Sequence, residues 1–152
     1  MPMPWTYRHA DKEFRAFLDD ARERMGLDSD NMTYTAVDGV FRTFRRRLTP
    51  AQGLAFADLL PAILRAIFVQ GWDSDAPPLP FANRAQMTRE VQALRPHHNL
   101  TPDNAIEATA WALRRSLRQA DLDRLLAGFP PGAAAFWHVD VADPSELEQR
   151  II

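Results

Sequence analysis

The sequence predicts an all-α protein, a helical bundle built from two tandem, similar four-helix repeats. Three observations carry that expectation. Apolar residues recur at helical spacing nearly throughout, prolines and glycines fall at segment boundaries, and the order long helix, long helix, short helix, proline, short helix occurs twice. The 152 residues, 46% hydrophobic and 25% charged, suit one helical domain over 1–152. Its expected parts are a first repeat at about 7–71, a connector at 72–83, a second repeat at about 84–138 and a C-terminal tail at 139–152.

Phe14, Phe17, Leu18, Ala21 and Met25 form one stripe of a helix over about 7–25, with Gly26 placed to end it in a left-handed conformation. A second helix over 31–47 turns Ala36, Val37, Val40, Phe41, Phe44 and Leu48 inward, with Ser29 or Asp30 as its N-cap. Thr49-Pro50-Ala51-Gln52 reads as a capping box with proline at the first helical position. It opens a short helix, 50–59, expected to bury Leu54, Ala57 and Leu60 or a subset of them. Pro61 breaks the chain and starts a strongly apolar helix over 61–70, which Gly71 ends.

In the connector, Pro77, Pro78 and Pro80 forbid helix and favour a stiff, extended path. Its Trp72, Leu79 and Phe81 predict a strap packed across the body of the protein. Asn83 with Gln86 caps a helix over 84–95 carrying Met87, Val91 and Leu94. Thr101-Pro102 opens another over 102–117, with Ile106, Ala110, Leu113 and Leu117 inward. A short helix follows at 119–128 (Leu122, Leu125, Leu126), and a last one at 131–138 ends in Phe136-Trp137. Asp143-Pro144-Ser145-Glu146 marks the place where a tail helix would start.

A shift of 69 positions superposes Arg45-Arg46 on Arg114-Arg115, Leu48 on Leu117, Pro61 on Pro130 and Phe68 on Trp137. Only seven of 35 pairs over residues 35–69 are identical, but Leu27 to Asn31 also matches Leu100 to Asn104 with a shift of 73. The four-residue difference is close to one helical turn, as a duplication would tolerate.

The run from Leu59 to Phe68, followed by Gly71-Trp72 and preceded by Phe44-Arg45-Arg46-Arg47-Leu48-Thr49, resembles the bacterial domain of unknown function 2267 family. The resemblance spans about residues 10–138 and implies an all-helical, duplicated fold; it brings no activity with it. The stretch Phe129-Pro130-Pro131-Gly132-Ala133-Ala134-Ala135 departs from the family pattern of leucine, proline and a charged helix. Gly132 and its three alanines are expected as a close contact with another helix or as a loop.

Chemistry is harder to find. With no cysteine, the chain has no disulfide, thiolate metal site or cysteine nucleophile. His97 and His98 are adjacent in a turn without converging ligands, and Asp28-Ser29-Asp30 lacks the later oxygen donors of a calcium loop. The carboxylate pairs Asp19/Asp20, Asp73/Asp75 and Asp121/Asp123 fall on predicted polar faces or in the connector. Neither a Gly-rich phosphate loop nor a nucleophile elbow is present. The expectation is therefore no catalytic residue, no metal ligand and no cofactor.

Two kinds of residue remain. Arg42, Arg45, Arg46 and Arg47 cluster at one helix end, and Arg114, Arg115 and Arg118 recur at the equivalent place. Such cations offset the negative end of their own helix dipole, or they form a pair of anion-binding patches centred on Arg45, Arg46, Arg114 and Arg115. Trp72 and Trp111 read as packing residues or as aromatic anchors of a binding groove.

The net charge of −2, evenly shared between the halves, gives no basic module for nucleic acid, and no apolar run spans a membrane. Met1-Pro2-Met3-Pro4-Trp5 does not read as a secretory signal, so a cytoplasmic protein is expected. The leading expectation is a non-catalytic interaction or adaptor module with a protein partner, with self-association left open. The alternatives are a small-molecule binder with an apolar inter-repeat pocket lined by Trp111, Phe41 or Phe44, and anion or nucleic-acid binding through the arginine clusters.

Overall fold

Short-range signals set most of the helix boundaries. The computed structural model describes residues 1–95 and 100–152, and every regular element in them is helical. The order is α1 (Trp5–Arg8), α2 (Ala10–Met25), α3 (Asp30–Arg45), α4 (Pro50–Leu59), α5 (Ala62–Val69), α6 (Arg84–Ala93), α7 (Ala105–Arg114), α8 (Gln119–Ala127) and α9 (Ala133–Phe136), with a 3-10 turn at Pro144–Leu147. Gly26 ends α2 at φ 70°. The Ser29 hydroxyl accepts from Met32 N at the start of α3. Thr49 and Gln52 close the capping box of α4 in both directions, and Asn83 accepts from Gln86 N to start α6. Each such cap is worth about 1 kcal/mol.

α3 is the axis of the bundle. It packs against α2 and α7 on one side, α6 on another and α5 toward its C-terminal end, while α4 packs on α5 and α8. One contiguous apolar cluster draws buried side chains from Phe17 to Leu147. At its centre, α3 (Phe41, Phe44), α4 (Phe56), α5 (Phe68) and the end of α9 (Phe136, Trp137) meet as six fully enclosed rings. Phe44 meets Trp137 edge-on at 5.2 Å, and Phe56 stacks on it at 5.5 Å. These are the offset and edge geometries aromatic quadrupoles favour.

Several expectations change. The first helix is broken at His9 into α1 and α2; α1 is docked by Thr6, whose hydroxyl donates to Glu13 at 2.6 Å and accepts from Ala62 N at 2.9 Å. Leu54 does not face the core: it is 61% exposed, and Phe56 is enclosed instead. α4 is apolar on most of its surface, so periodicity does not choose its inner face. Leu94, at the C-cap of α6, is also exposed. Thr101 does not cap the helix after it. Ala105 N turns back to Pro102 O, α7 starts three residues later than expected, and its N-cap Asn104 donates its amide to Arg24 O at 2.9 Å.

The connector is a strap, held differently from expectation. Leu79 is exposed; what fixes this stretch is Leu79 N donating to Arg46 O at 3.0 Å and Arg47 Nε donating to Pro80 O at 3.2 Å. The Trp72 ring fills the space a Cβ on Gly53 would need. Phe81 lies so close to Gly132 that a Cβ there would stand 2.6 Å from its own Cβ, which explains the glycine at φ 101° where the chain leaves the family pattern. The tail also packs. Leu147 is buried, Arg150 N donates to Arg115 O at 2.8 Å, and the Arg150 guanidinium pairs with buried Asp20.

Gly53→Ala is expected to push Trp72 off α4 and lower stability by about 1–3 kcal/mol, measured by urea denaturation, with red-shifted tryptophan emission. At the α2–α3 corner, Arg15 (2.8 Å) and Arg22 (2.6 Å) pair with Asp30 and hold its carboxyl at about 2, below the ordinary 3.8. A depressed carboxylate adds stability above its unfolded pKa and loses it as pH falls through the folded value. Asp30→Asn should therefore be less stable than the wild type at neutral pH, and their urea midpoints should converge as pH drops from about 4 to 2.

Candidate functional site

A short helix exposes up to four carbonyl groups at its C-terminal end, and in this protein arginines from other segments supply the donors. Arg65 Nε donates to Ala57 O at 3.0 Å, at the end of α4. Arg84 Nη2 gathers three carbonyls, of Ala135, Phe136 and His138, at the end of α9. Arg45 Nη1 takes Phe68 O and Gln70 O, both at 2.8 Å, at the end of α5. Arg114 Nε takes Trp137 O at 2.8 Å, after α9. The arginines at 45 and 114 thus serve the ends of neighbouring helices, not the dipole of their own.

Arg45→Phe68 and Arg114→Trp137 join equivalent positions, 69 residues apart at both ends, with Nη1 as the donor in the first and Nε in the second. What surrounds them differs. Arg114 is saturated: Nη1 donates to Gln119 Oε1 at 3.1 Å and Nη2 to Asp123 Oδ1 at 3.0 Å. At the two positions 69 residues earlier stand Pro50 and the exposed Leu54, which offer no oxygen. Arg45 accordingly pairs with no carboxylate among the described residues, and its Nε and Nη2 donate to none of their groups. Burial, with the Arg42 charge nearby, lowers its pKa from the ordinary arginine value.

Arg45 lines a cleft of about 420 Å³ between the C-terminal half of α3, the end of α6 and the connector. Arg42, Arg46, Trp72, Ala76, Leu79 and Leu94 share its wall, with Glu90 and Asp73. Thr43 is there too, only 1% exposed, and its hydroxyl has no hydrogen-bond partner. Most of the other charges are already committed. Arg42 pairs with Asp38 at 2.9 Å, and Glu90 is gripped by two nitrogens of Arg47 at 3.1 and 2.7 Å. Arg46 donates to Pro77 O, and Asp73 accepts from Asp75 N at 3.1 Å on the exposed connector. A second hollow, about 460 Å³ between α6 and α7, holds Arg84, but Asp103 and Glu107 line it as well.

The candidates read from the sequence therefore separate. Arg45, Arg46 and Trp72 come together on one cleft, while Arg114 is enclosed by its own partners. Arg115 is turned to the tail, donating to Asp20 at 3.1 Å and to Glu146 O at 2.7 Å. The Arg24 and Arg115 guanidiniums both lie over the Trp111 ring, at 5.0 and 4.8 Å, so it already makes two cation–π contacts. Phe41 and Phe44 have no exposed surface, so they line no open inter-repeat pocket. Thr43, Leu79, Glu90 and Leu94 were not legible as site residues; only Arg42 carried a signal, through its cluster. His97 and His98 lie outside the described residues. Among the described residues no three His, Asp or Glu side chains gather as metal ligands, and no helix is long and apolar enough to cross a membrane.

The family described as an uncharacterized conserved protein (DUF2267) matches residues 14–136. No curated protein matches the chain.

Because the Thr43 hydroxyl is buried without a partner, Thr43→Val is expected to leave stability unchanged or raise it by up to about 1 kcal/mol. Equilibrium urea denaturation checks this; a loss of more than about 1 kcal/mol would mean the hydroxyl is bonded in solution.

Proposed function

The chain belongs to the DUF2267 family, whose description carries no activity, and we propose that it is a non-catalytic interaction module working through the cleft between α3, α6 and the connector. The observation that carries this reading is the inequality of two equivalently placed arginines. Arg114 is closed by Gln119 and Asp123, whereas Arg45 keeps two donors open on a cleft that also presents apolar surface. A buried cation without a counter-ion costs several kcal/mol, so its persistence at only one of the two places fits a group kept for an incoming ligand. The equal spacing of the two contacts also supports an origin by duplication, with the two halves since diverged.

Binding fits the cleft better than turnover. Glu90 is tied to Arg47, and among the described residues of the cleft no nucleophile stands beside a base. Binding through two repeated arginine patches has less support, because Arg114 and Arg115 already have internal partners.

The test is affinity purification of the full chain from its native host, with mass spectrometry of co-eluting proteins and small molecules. The double variant Leu79→Asp, Leu94→Asp places charge on the cleft rim at two exposed positions. Leu54→Asp, equally exposed but away from the cleft, is the control. Material held by the wild type and the control should be lost from the double variant. Retention of all of it by the double variant would remove the cleft as the working surface.

A further inference from the structure

Resting on the cleft reading above, we propose that the cleft is a binding site for a small organic acid, its carboxylate held by Arg45 and its apolar body lying against Trp72 and Leu79. The carboxylate follows from which donors are open. With Nη1 used by the carbonyls of Phe68 and Gln70, the Nε and Nη2 edge of the guanidinium remains, two parallel N–H groups spaced for the two oxygens of one carboxylate. Thr43 lies along the same wall with its hydroxyl enclosed, so the polar contacts to the acid fall to Arg45. Arg42 is paired with Asp38 and Glu90 with Arg47, while Arg45 and Arg46 meet no carboxylate and Asp73 no cation among the described residues, which leaves the cleft one net positive charge. One positive charge in a partly apolar cleft suits a monoanion better than a doubly charged phosphate. The volume of about 420 Å³ lies within the range of small-molecule sites and exceeds what a bare acid group fills, which is why an apolar body is required.

The experiment is nuclear magnetic resonance of the full chain, following the Arg45 Nε–H and Trp72 indole N–H signals. The probes are phenylacetate and octanoate, with phenylacetamide as neutral isostere and inorganic phosphate as an anion lacking an apolar body. Either acid should shift both signals at millimolar concentration or below. Phenylacetamide and phosphate should bind at least about tenfold more weakly, the loss expected for removing a charge-assisted fork or the apolar contact. Leu79→Asp should abolish their binding, and Leu54→Asp should leave it unchanged. Arg45→Lys, which keeps the charge and loses the fork, should weaken binding if it folds; the Leu79 variant and the neutral and phosphate probes decide the matter if it does not. Equal binding of phenylacetamide, tighter binding of phosphate, or no shift at Arg45 with either acid would overturn the proposal. None of those outcomes touches the host-capture result, which asks only whether material leaves with the rim variant.

Discussion

The architecture depends on how the carbonyl ends of short helices are satisfied. Among the described residues, seven of the nine α-helices have ten residues or fewer, and where their ends pack inside the bundle or against its strap, water is a poor substitute for a donor. Guanidinium groups do that work at the ends of α4, α5 and α9, each reaching from a different segment and often touching more than one carbonyl. An ammonium group would be a weaker answer, since it is more strongly hydrated and lacks the planar fork. The skew to seventeen arginines and one lysine thus coincides with a structural demand. Each charge-assisted bond of this kind is worth about 1.5–3 kcal/mol net, comparable to burying a large apolar side chain.

The same demand decides where function can reside. At their foreign helix ends Arg45 and Arg114 are buried, and burial leaves each with a desolvated charge. The protein closes this charge in different ways: Arg114 receives Asp123, Arg115 receives Asp20 and the π face of Trp111, and Arg47 receives Glu90. Arg45 receives only carbonyls. The helix it caps, α5, runs straight into the connector, so the cap holds the root of the strap, which also forms the far wall of the cleft. On the proposed reading, structural and binding roles fall on one residue without competing, because they use different edges of the guanidinium.

What the sequence made legible follows the range of the physics involved. Caps and breakers act within four residues, and Ser29, Thr49, Asn83 and Gly26 sit as their local chemistry predicts. Amphipathic stripes identify a buried face where polar residues mark the opposite one, as in α2 and α3. They fail in α4, where apolar Leu54 and Phe56 lie on different faces and only the position of α8 and Trp72 selects between them. The Arg45 cleft was half visible: the arginine cluster and Trp72 could be singled out, but not that Arg114 would be closed and Arg45 left open. That difference rests on Asp123 and Gln119 meeting Arg114 across a helix junction, and no local pattern encodes such a meeting.

On the proposal that the two halves share an origin, their divergence gives a physical route to such an asymmetry. In a symmetric pair, each arginine would cap its helix and meet the same residues from the following helix. Placing leucine at position 54 where the other half has Asp123 removes a counter-charge, and proline at 50 in place of Gln119 removes an amide. Neither change disturbs the carbonyl cap, so the fold survives while one guanidinium edge becomes open. The uncompensated charge then lowers stability unless something supplies it, and a ligand that does so gains from the relief as well as from its own contacts. A site made in this way has its donor already oriented by the cap, so little ordering is needed on binding, and that preorganisation is what lets a cleft with few polar groups be selective.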